Sequence, residues 1–456
     1  MRFRRILPLV ATLLTVSGCS KSVTQRIQSQ LDKGTGTVKL PAGTINLIED
    51  LRVPANAHDL VITGEPTTVL RADREFQGPA LLSIKDARGV RIHGIQFDGN
   101  RGELNRRMDL PPSGTPFHQH FMGSGIMAVN SKDIHIHDVK FRDLVGFAVV
   151  GSFVKKVKVE RVSVEDSGSR NTTNRNNTTG GILFEEGTDD FEVRDSFFRK
   201  VSGNGVWTHS YHGSPRNYRG LIIGNRFDTI GRDAVQVGHA NKVRVENNVG
   251  RYIGYPHEDV DREGKAIPVG VDTAGKVDEA VYINNKFEEI NGKCFDLDGF
   301  HDGEVIGNIC LNRGQPDDYP EGNFAIVMNN TYPEMESQAI TIRDNVIDGL
   351  KFGAIFVIGK GHKIINNKLR NVNRSRCNEG TAKYQCMWEG KEPNLMQSAI
   401  FLGARAERIS PSEGILVEGN EIRGHKMAER CVMTSAIVSP AKSTIRNNTC
   451  VSEEPK

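Results

Sequence analysis

Apolar and polar residues alternate in short runs along nearly the whole chain, and stretches with helical spacing are almost absent. One strand-like unit ends in Asn. It recurs as Ile222-Ile223-Gly224-Asn225, Val245-Glu246-Asn247-Asn248, Tyr282-Ile283-Asn284-Asn285 and Val305-Ile306-Gly307-Asn308, and again at Asn345, Asn367, Asn420 and Asn448. Successive gaps are 23, 37, 23, 37, 22, 53 and 28 residues, so the longer ones read as a 22–23-residue unit plus a loop. Earlier copies without the Asn cover 90–97, 134–141, 157–164 and 191–198. A second strand opens with a small residue and an aliphatic one. It starts at Gly125, Gly146, Gly181, Gly205, Ala234, Ala266, Cys294, Ala325, Ala354 and Ala399, with a last copy near Cys431 or Ala436.

A short period with alternation and Gly turns predicts stacked β rungs, each burying its inward residues against the next. A β-propeller requires a period near 40–50 residues with four strands per unit, which a 22–23-residue minimum excludes. The recurrent Asn falls where the chain bends. Asn tolerates left-handed backbone, and its amide can bond to the Asn above and below as a ladder. Before the first rung, 23–33 reads as a short amphipathic helix with Val23, Ile27 and Leu31 four apart, suited to capping the stack.

Repeats of this kind with an Asn ladder resemble the right-handed parallel β-helix of the pectate lyase and polygalacturonase superfamily. Gly36-Thr37-Val38-Lys39-Leu40-Pro41-Ala42-Gly43-Thr44, Leu60-Val61-Ile62-Thr63-Gly64 and Phe97-Asp98-Gly99-Asn100 are similar to the opening of many bacterial β-helix carbohydrate enzymes. The resemblance implies an all-β chain: a right-handed parallel β-helix of about 12 rungs with an N-terminal capping helix. It fixes no activity, because the superfamily holds hydrolases, lyases, epimerases and proteins without known activity.

The first 19 residues change the compartment. Arg2, Arg4 and Arg5 precede a short apolar run of signal-peptide length, ending in Val16-Ser17-Gly18-Cys19. This resembles the bacterial lipoprotein processing site, which implies acylation at Cys19 and a mature domain over 20–456. Ser20 stands where an Asp would signal inner-membrane retention, so the expected place is the outer membrane or periplasm. Net charge is +3 with 25% charged residues, so no field favours nucleic acid. Abundant Gly (47) and 7% aromatics suit a long solenoid with a thin core. Six cysteines besides Cys19 allow disulfides in an exported chain. Cys377 and Cys386, bracketing one short loop, are the best pair, and the rest stay open.

Chemistry is expected on the second strand. Alternate residues face opposite ways, so its third and fifth positions point outward. In order these are Leu183/Glu185, Trp207/His209, Gln236/Gly238, Pro268/Gly270, Asp296/Asp298, Val327/Asn329, Phe356/Ile358 and Phe401/Gly403. The middle of the face is polar and its C-terminal end apolar, the latter matching a covering loop such as 377–396. Asp296 and Asp298, two apart on a strand, have Cα atoms about 6.6–6.8 Å apart. That suits an inverting glycosidase pair, about 6.5–9.5 Å between carboxyls. Asp233 is the third catalytic candidate. It lies in Gly231-Arg232-Asp233-Ala234-Val235-Gln236-Val237-Gly238-His239, which is similar to a polygalacturonase pattern whose paired carboxylates read Arg232-Asp233 here. Trp207, His209, Gln236, His239, His301 and Glu185 are substrate-binding candidates, with Trp207 as the sugar-stacking ring. Insertions at 167–179, 209–219, 251–265 and 312–323 are candidate groove walls, and the 101–123 insertion, with His118 and His120, is expected to cap the N-terminal side.

Bland readings compete with each of these. Asp296, Asp298 and Asp302 could form a solvated turn or a calcium site instead. Glu185-Glu186 reads as solvated turn charge, and His209 with His212 is a weak metal signal. No other cofactor is implied. The resulting expectation is a surface-anchored polysaccharide-active enzyme, a monomer, more a glycoside hydrolase than a lyase. A calcium- or Lys/Arg-assisted polysaccharide lyase and a non-catalytic glycan-binding or cell-surface β-helix are the alternatives.

Overall fold

The computed structural model describes residues 22–454 except 105–108, 113, 262–266, 331, 380–385, 387–391, 393 and 440–441. The segment 1–19 expected to direct export, with Cys19, lies outside the described residues. The chain is a right-handed parallel β-helix, and every strand pairing along its length is parallel. Among the described residues, fourteen strands form the rear face, and 27 form one sheet folded into a front and a side face. The two are joined because Val235–Glu246 and Val269–Asp278 run unbroken around the corner. The fourteen rear strands exceed the expected dozen rungs, because the first turns carry neither the Asn nor the Gly-aliphatic signature.

Inward residues stack on their own kind. Phe97 lies over Phe141 at 5.1 Å, Phe198 over Phe227 at 5.0 Å and Tyr282 over Phe300 at 5.2 Å. The Asn ladder is continuous. From Asn225 to Asn448 each Asn Oδ1 accepts both the backbone N–H and the side-chain Nδ2 of the Asn one rung earlier, at 2.8–3.1 Å. In the earlier rung Ser196 takes the place, donating its N–H to Asn225 Oδ1. The left-handed residue of each turn is the one before the ladder Asn, such as Asn247, Asn284 and Asp344, rather than the ladder residue itself.

The helix Val23–Leu31 caps the first rung. Ser22 and Gln25 form a capping box that satisfies its first amides. Ile27 and Leu31 are buried, whereas Val23 is 40% exposed and takes no part in the cap. Gln28 instead pairs with both backbone groups of Arg52. Disulfides join Cys377 to Cys386, as expected, and also Cys294 to Cys310 and Cys431 to Cys450. No described helix is long and apolar enough to cross a membrane.

Candidate active site

Beyond Arg52 and Ser83 on its first two rungs, the front face carries two apolar stretches. Toward the N-terminus Met127, Val150, Leu183 and Trp207 stack in register. Phe117 and Phe121, from the insertion after 101, cover this column and bury it. Toward the C-terminus Val327, Phe356 and Phe401 continue the column, buried in one cluster with Leu395 and Met396. Between the two caps the same column reads Gln236, Asp272, Asp296 on three successive rungs. Three residues earlier on each strand stand Asp233, Val269 and Lys293, after Asn204 on the preceding rung.

These side chains form one network. Asn204 Nδ2 donates to Gln236 Oε1 (2.8 Å), and Gln236 Nε2 donates to Asp272 Oδ2 (2.5 Å). Lys293 Nζ contacts Asp296 Oδ2, while Asp296 Oδ1 is buried without a hydrogen bond among the described residues. Asp233 Oδ1 accepts from the Val269 N–H at 2.9 Å, and its Oδ2 lies 3.4 Å from Arg232 Nε. Arg232 also pairs with Asp261, which Arg175 and the Asn176 N–H bind from the opposite loop. The 167–179 and 251–265 insertions are thereby tied across one edge. The 312–323 insertion joins them where Tyr255 donates to the Asp318 carbonyl. Asp298 is half-buried at the rim, accepting from the N–H groups of Asn329 (3.0 Å) and Asn330 (3.2 Å). Gly299 next to it has φ +66°, and a Cβ there would lie 1.8 Å from the Gly275 carbonyl, so the bend that carries Asp298 requires glycine.

Crowded, dehydrated carboxylates hold their protons. Burial pushes Asp233 up to about 7, against the pull of Arg232, the Val269 N–H and Lys293. Burial, then the charges of Asp233 and Asp296, hold Asp272 well above the usual range. Asp298 is raised by burial and by Asp296. Burial works against the Lys293 ammonium, but Asp296 and Asp298 more than offset it and its pKa rises. The arrangement therefore offers protonated carboxylic acids beside a fixed ammonium and a carboxylate oxygen without a protein partner.

Several sequence expectations change. Pro268 and Gly270 are not the outward pair of their rung. The true register places Asp272 opposite Gln236 and Asp296, a residue the sequence reading missed because it counted the rung from Ala266 across a long loop. Trp207 is 6% exposed under Phe117, 5.2 Å between rings, so it is no open sugar platform. Glu185 is fully buried and holds the covering insertion, accepting from the Phe117 and His118 N–H groups. His301 has both ring nitrogens engaged, with Asp278 Oδ1 (2.9 Å) and the Glu336 carbonyl (3.0 Å), and serves as a strut. Asp302 is exposed in the turn beyond, so the calcium trio with Asp296 and Asp298 is not assembled. His209 and His239 sit at the groove edge with rings 6.3 Å apart; His239 occupies a bulge and its pKa is lowered by burial, then by His212 and Arg216. Asp233, Asp296 and Gln236 come together as one cluster, with Asp298 on its rim.

No protein-family model matches the chain. No curated protein matches it in sequence. Solved structures do resemble it. The catalytic domain of a GH87 alpha-1,3-glucanase in complex with tetrasaccharides superposes with TM-score 0.54 at 12% identity, over 98% of this chain and 70% of that one. Bacteriophage phi29 gene product 12 gives 0.56 at 11%, over 92% of this chain and 54% of that one. PfbA, a surface adhesin of Streptococcus pneumoniae, gives 0.52 at 14%, over 77% and 88%. At such identities the likeness is one of fold.

Proposed function

We propose that the protein is a glycoside hydrolase acting on a polysaccharide, with its chemistry at the Asp272/Asp296 pair. The observation that carries this reading is the convergence of Asp233, Asp272 and Asp296 with Lys293 in the polar interval between two covered apolar stretches of the front face. Glycosidic cleavage needs a carboxylic acid that is protonated at working pH and a second carboxylate beside it. Asp272, its pKa raised, serves as the acid that protonates the leaving oxygen. Asp296, oriented by Lys293, supplies the second carboxylate through its Oδ1, which is buried and takes no hydrogen bond among the described residues. Residues in register on neighbouring rungs lie about 4.8 Å apart, close enough for two carboxyls to act on one bond. Gln236 and Asn204 hold Asp272 in place, and Asp298 at the rim meets sugar hydroxyls. The oligosaccharide complexes of the GH87 catalytic domain, a fold neighbour, support a glycan as substrate.

Lys293 also bears on the lyase alternative. Elimination beside a uronate needs a base, and an ammonium whose pKa is raised is a poor one. The export signal supports a lipoprotein anchored through Cys19, at a surface where such polymers are met. The test is product mass from a polysaccharide panel that includes alpha-1,3-glucan and uronate polymers, with and without chelator. Products one water heavier than the cleaved bond support hydrolysis. Unsaturated products would replace it with elimination, and binding without cleavage would replace it with the glycan-binding reading.

A further inference from the structure

Glu185 and Glu186 are consecutive and neither has exposed surface. Glu185 ends the strand Gly180–Glu185 and pairs in register with His209 on the next rung. At Glu186 the backbone turns left-handed, φ 54°. One donor atom from each of Glu185, Glu186 and His209 lies within 4.8 Å of the other two.

Two dehydrated carboxylates side by side call for positive charge. Among the described residues no Lys or Arg pairs with either. Their partners are the His118 ring, 2.8 Å from Glu185 Oε1, the N–H groups of Phe117, His118 and Tyr211, and the Ser214 hydroxyl. Glu186 Oε2 and His209 Nδ1 are both buried and take no hydrogen bond of ordinary geometry. Buried polar atoms are normally satisfied, so two orphans on facing groups mark a missing partner.

We propose that Glu185, Glu186 and His209 bind one divalent transition-metal ion of the zinc class, fastening the 101–123 insertion over the N-terminal half of the front face. An imidazole with two carboxylates suits zinc, whereas calcium takes six to eight oxygens. A tetrahedral zinc ion sets its ligand atoms about 3.4 Å apart, so each donor moves in by under ~1 Å. Glu185 would then hold both the ion and the amides of Phe117 and His118, so that the ion and the aromatic cover over Trp207 share one anchor.

The experiment is metal titration of untagged, chelator-stripped protein, read by equilibrium dialysis with elemental analysis and by the thermal midpoint. ZnCl2 is expected to bind at one equivalent and raise the midpoint, with CaCl2 at the same concentration doing neither. Glu186→Gln and His209→Ala should each weaken zinc binding at least tenfold while keeping the wild-type circular dichroism spectrum. His209→Gln is the substitute if the alanine variant does not fold. Zinc-free wild type under these conditions, undiminished binding in the folded variants, or displacement of zinc by equal calcium would each overturn the assignment. Metal content is read without any turnover, so the result stands apart from the hydrolase reading.

Discussion

Lys293 and Asp296 stand three residues apart on one strand and form an ion pair of which only 5% and 6% of each residue is exposed. A buried pair is costly to break from one side, by about 3–5 kcal/mol, because the remaining charge is left in low dielectric. Lys293→Met is therefore expected to lower stability by about that much and to abolish turnover. Lys293→Met combined with Asp296→Asn should recover most of the stability and none of the activity. Denaturant melts alongside rate measurements check this; equal stability of single and double variants would show that the pair is not coupled.

Catalysis by the carboxylate column makes a sharper demand. Asp272→Asn and Asp296→Asn should each reduce kcat by roughly 10²–10⁴-fold with an unchanged fold. Asp298→Asn should act mainly on KM, since its carboxylate sits at the rim and is held by two backbone amides. Full activity in both Asp272→Asn and Asp296→Asn would remove these residues from the chemistry.

The raised pKa of Asp233 makes a prediction about stability and pH. Its carboxyl titrates near 3.8 when unfolded and at about 7 when folded. Between those values the folded state holds the proton and the unfolded state does not, so stability falls as pH rises. The contribution is fully present below about pH 4 and lost above pH 7. Asp233→Asn removes this slope, so the variant's thermal midpoint relative to wild type should climb from pH 4 to pH 8. A difference that stays flat would mean that Asp233 is ionised in the fold at all these pH values.

Ladder and disulfide contribute to the scaffold beneath the site. Asn308 links Asn285 to Asn345 and donates to the Tyr282 carbonyl. Asn308→Ala leaves buried partners unsatisfied, and a loss of about 3 kcal/mol is expected in chemical denaturation. Cys294 lies on the strand Lys293–Leu297, and its bond to Cys310 spans 16 residues. Replacing both by Ser should cost about 3 kcal/mol on the chain-entropy view. Added reductant should move the wild-type melting transition the same way and leave that variant with the smaller shift.

How far the site could be read from the chain differs residue by residue. Asp296, Asp298 and Asp233 stand out because carboxylates interrupt a repeat that is otherwise apolar. Asp272 carries no such mark, since Val271-Asp272-Thr273 follows a long insertion of unconstrained length. Only the pairing of Val269 with Lys293 and of Asp272 with Asp296 sets its rung. His301 reads from the sequence as a substrate-binding candidate, and its two partners, Asp278 and Glu336, come from other rungs.

The sequence by itself determined the β-helix, its ladder from Asn225 to Asn448, its capping helix and the Cys377–Cys386 bond. Each of these follows from short-range periodicity or close spacing, which a linear reading can count. Tertiary structure alone decided which outward residues meet solvent. Trp207 and Glu185 are outward by alternation, yet Phe117 arrives from an insertion about 90 residues before Trp207 to cover one and cap on the other. The same step leaves Gln236, Asp272 and Asp296 between two apolar covers, themselves only 5%, 8% and 6% exposed. Alternation fixes the direction of a side chain within its strand, and burial depends on what distant chain packs over it.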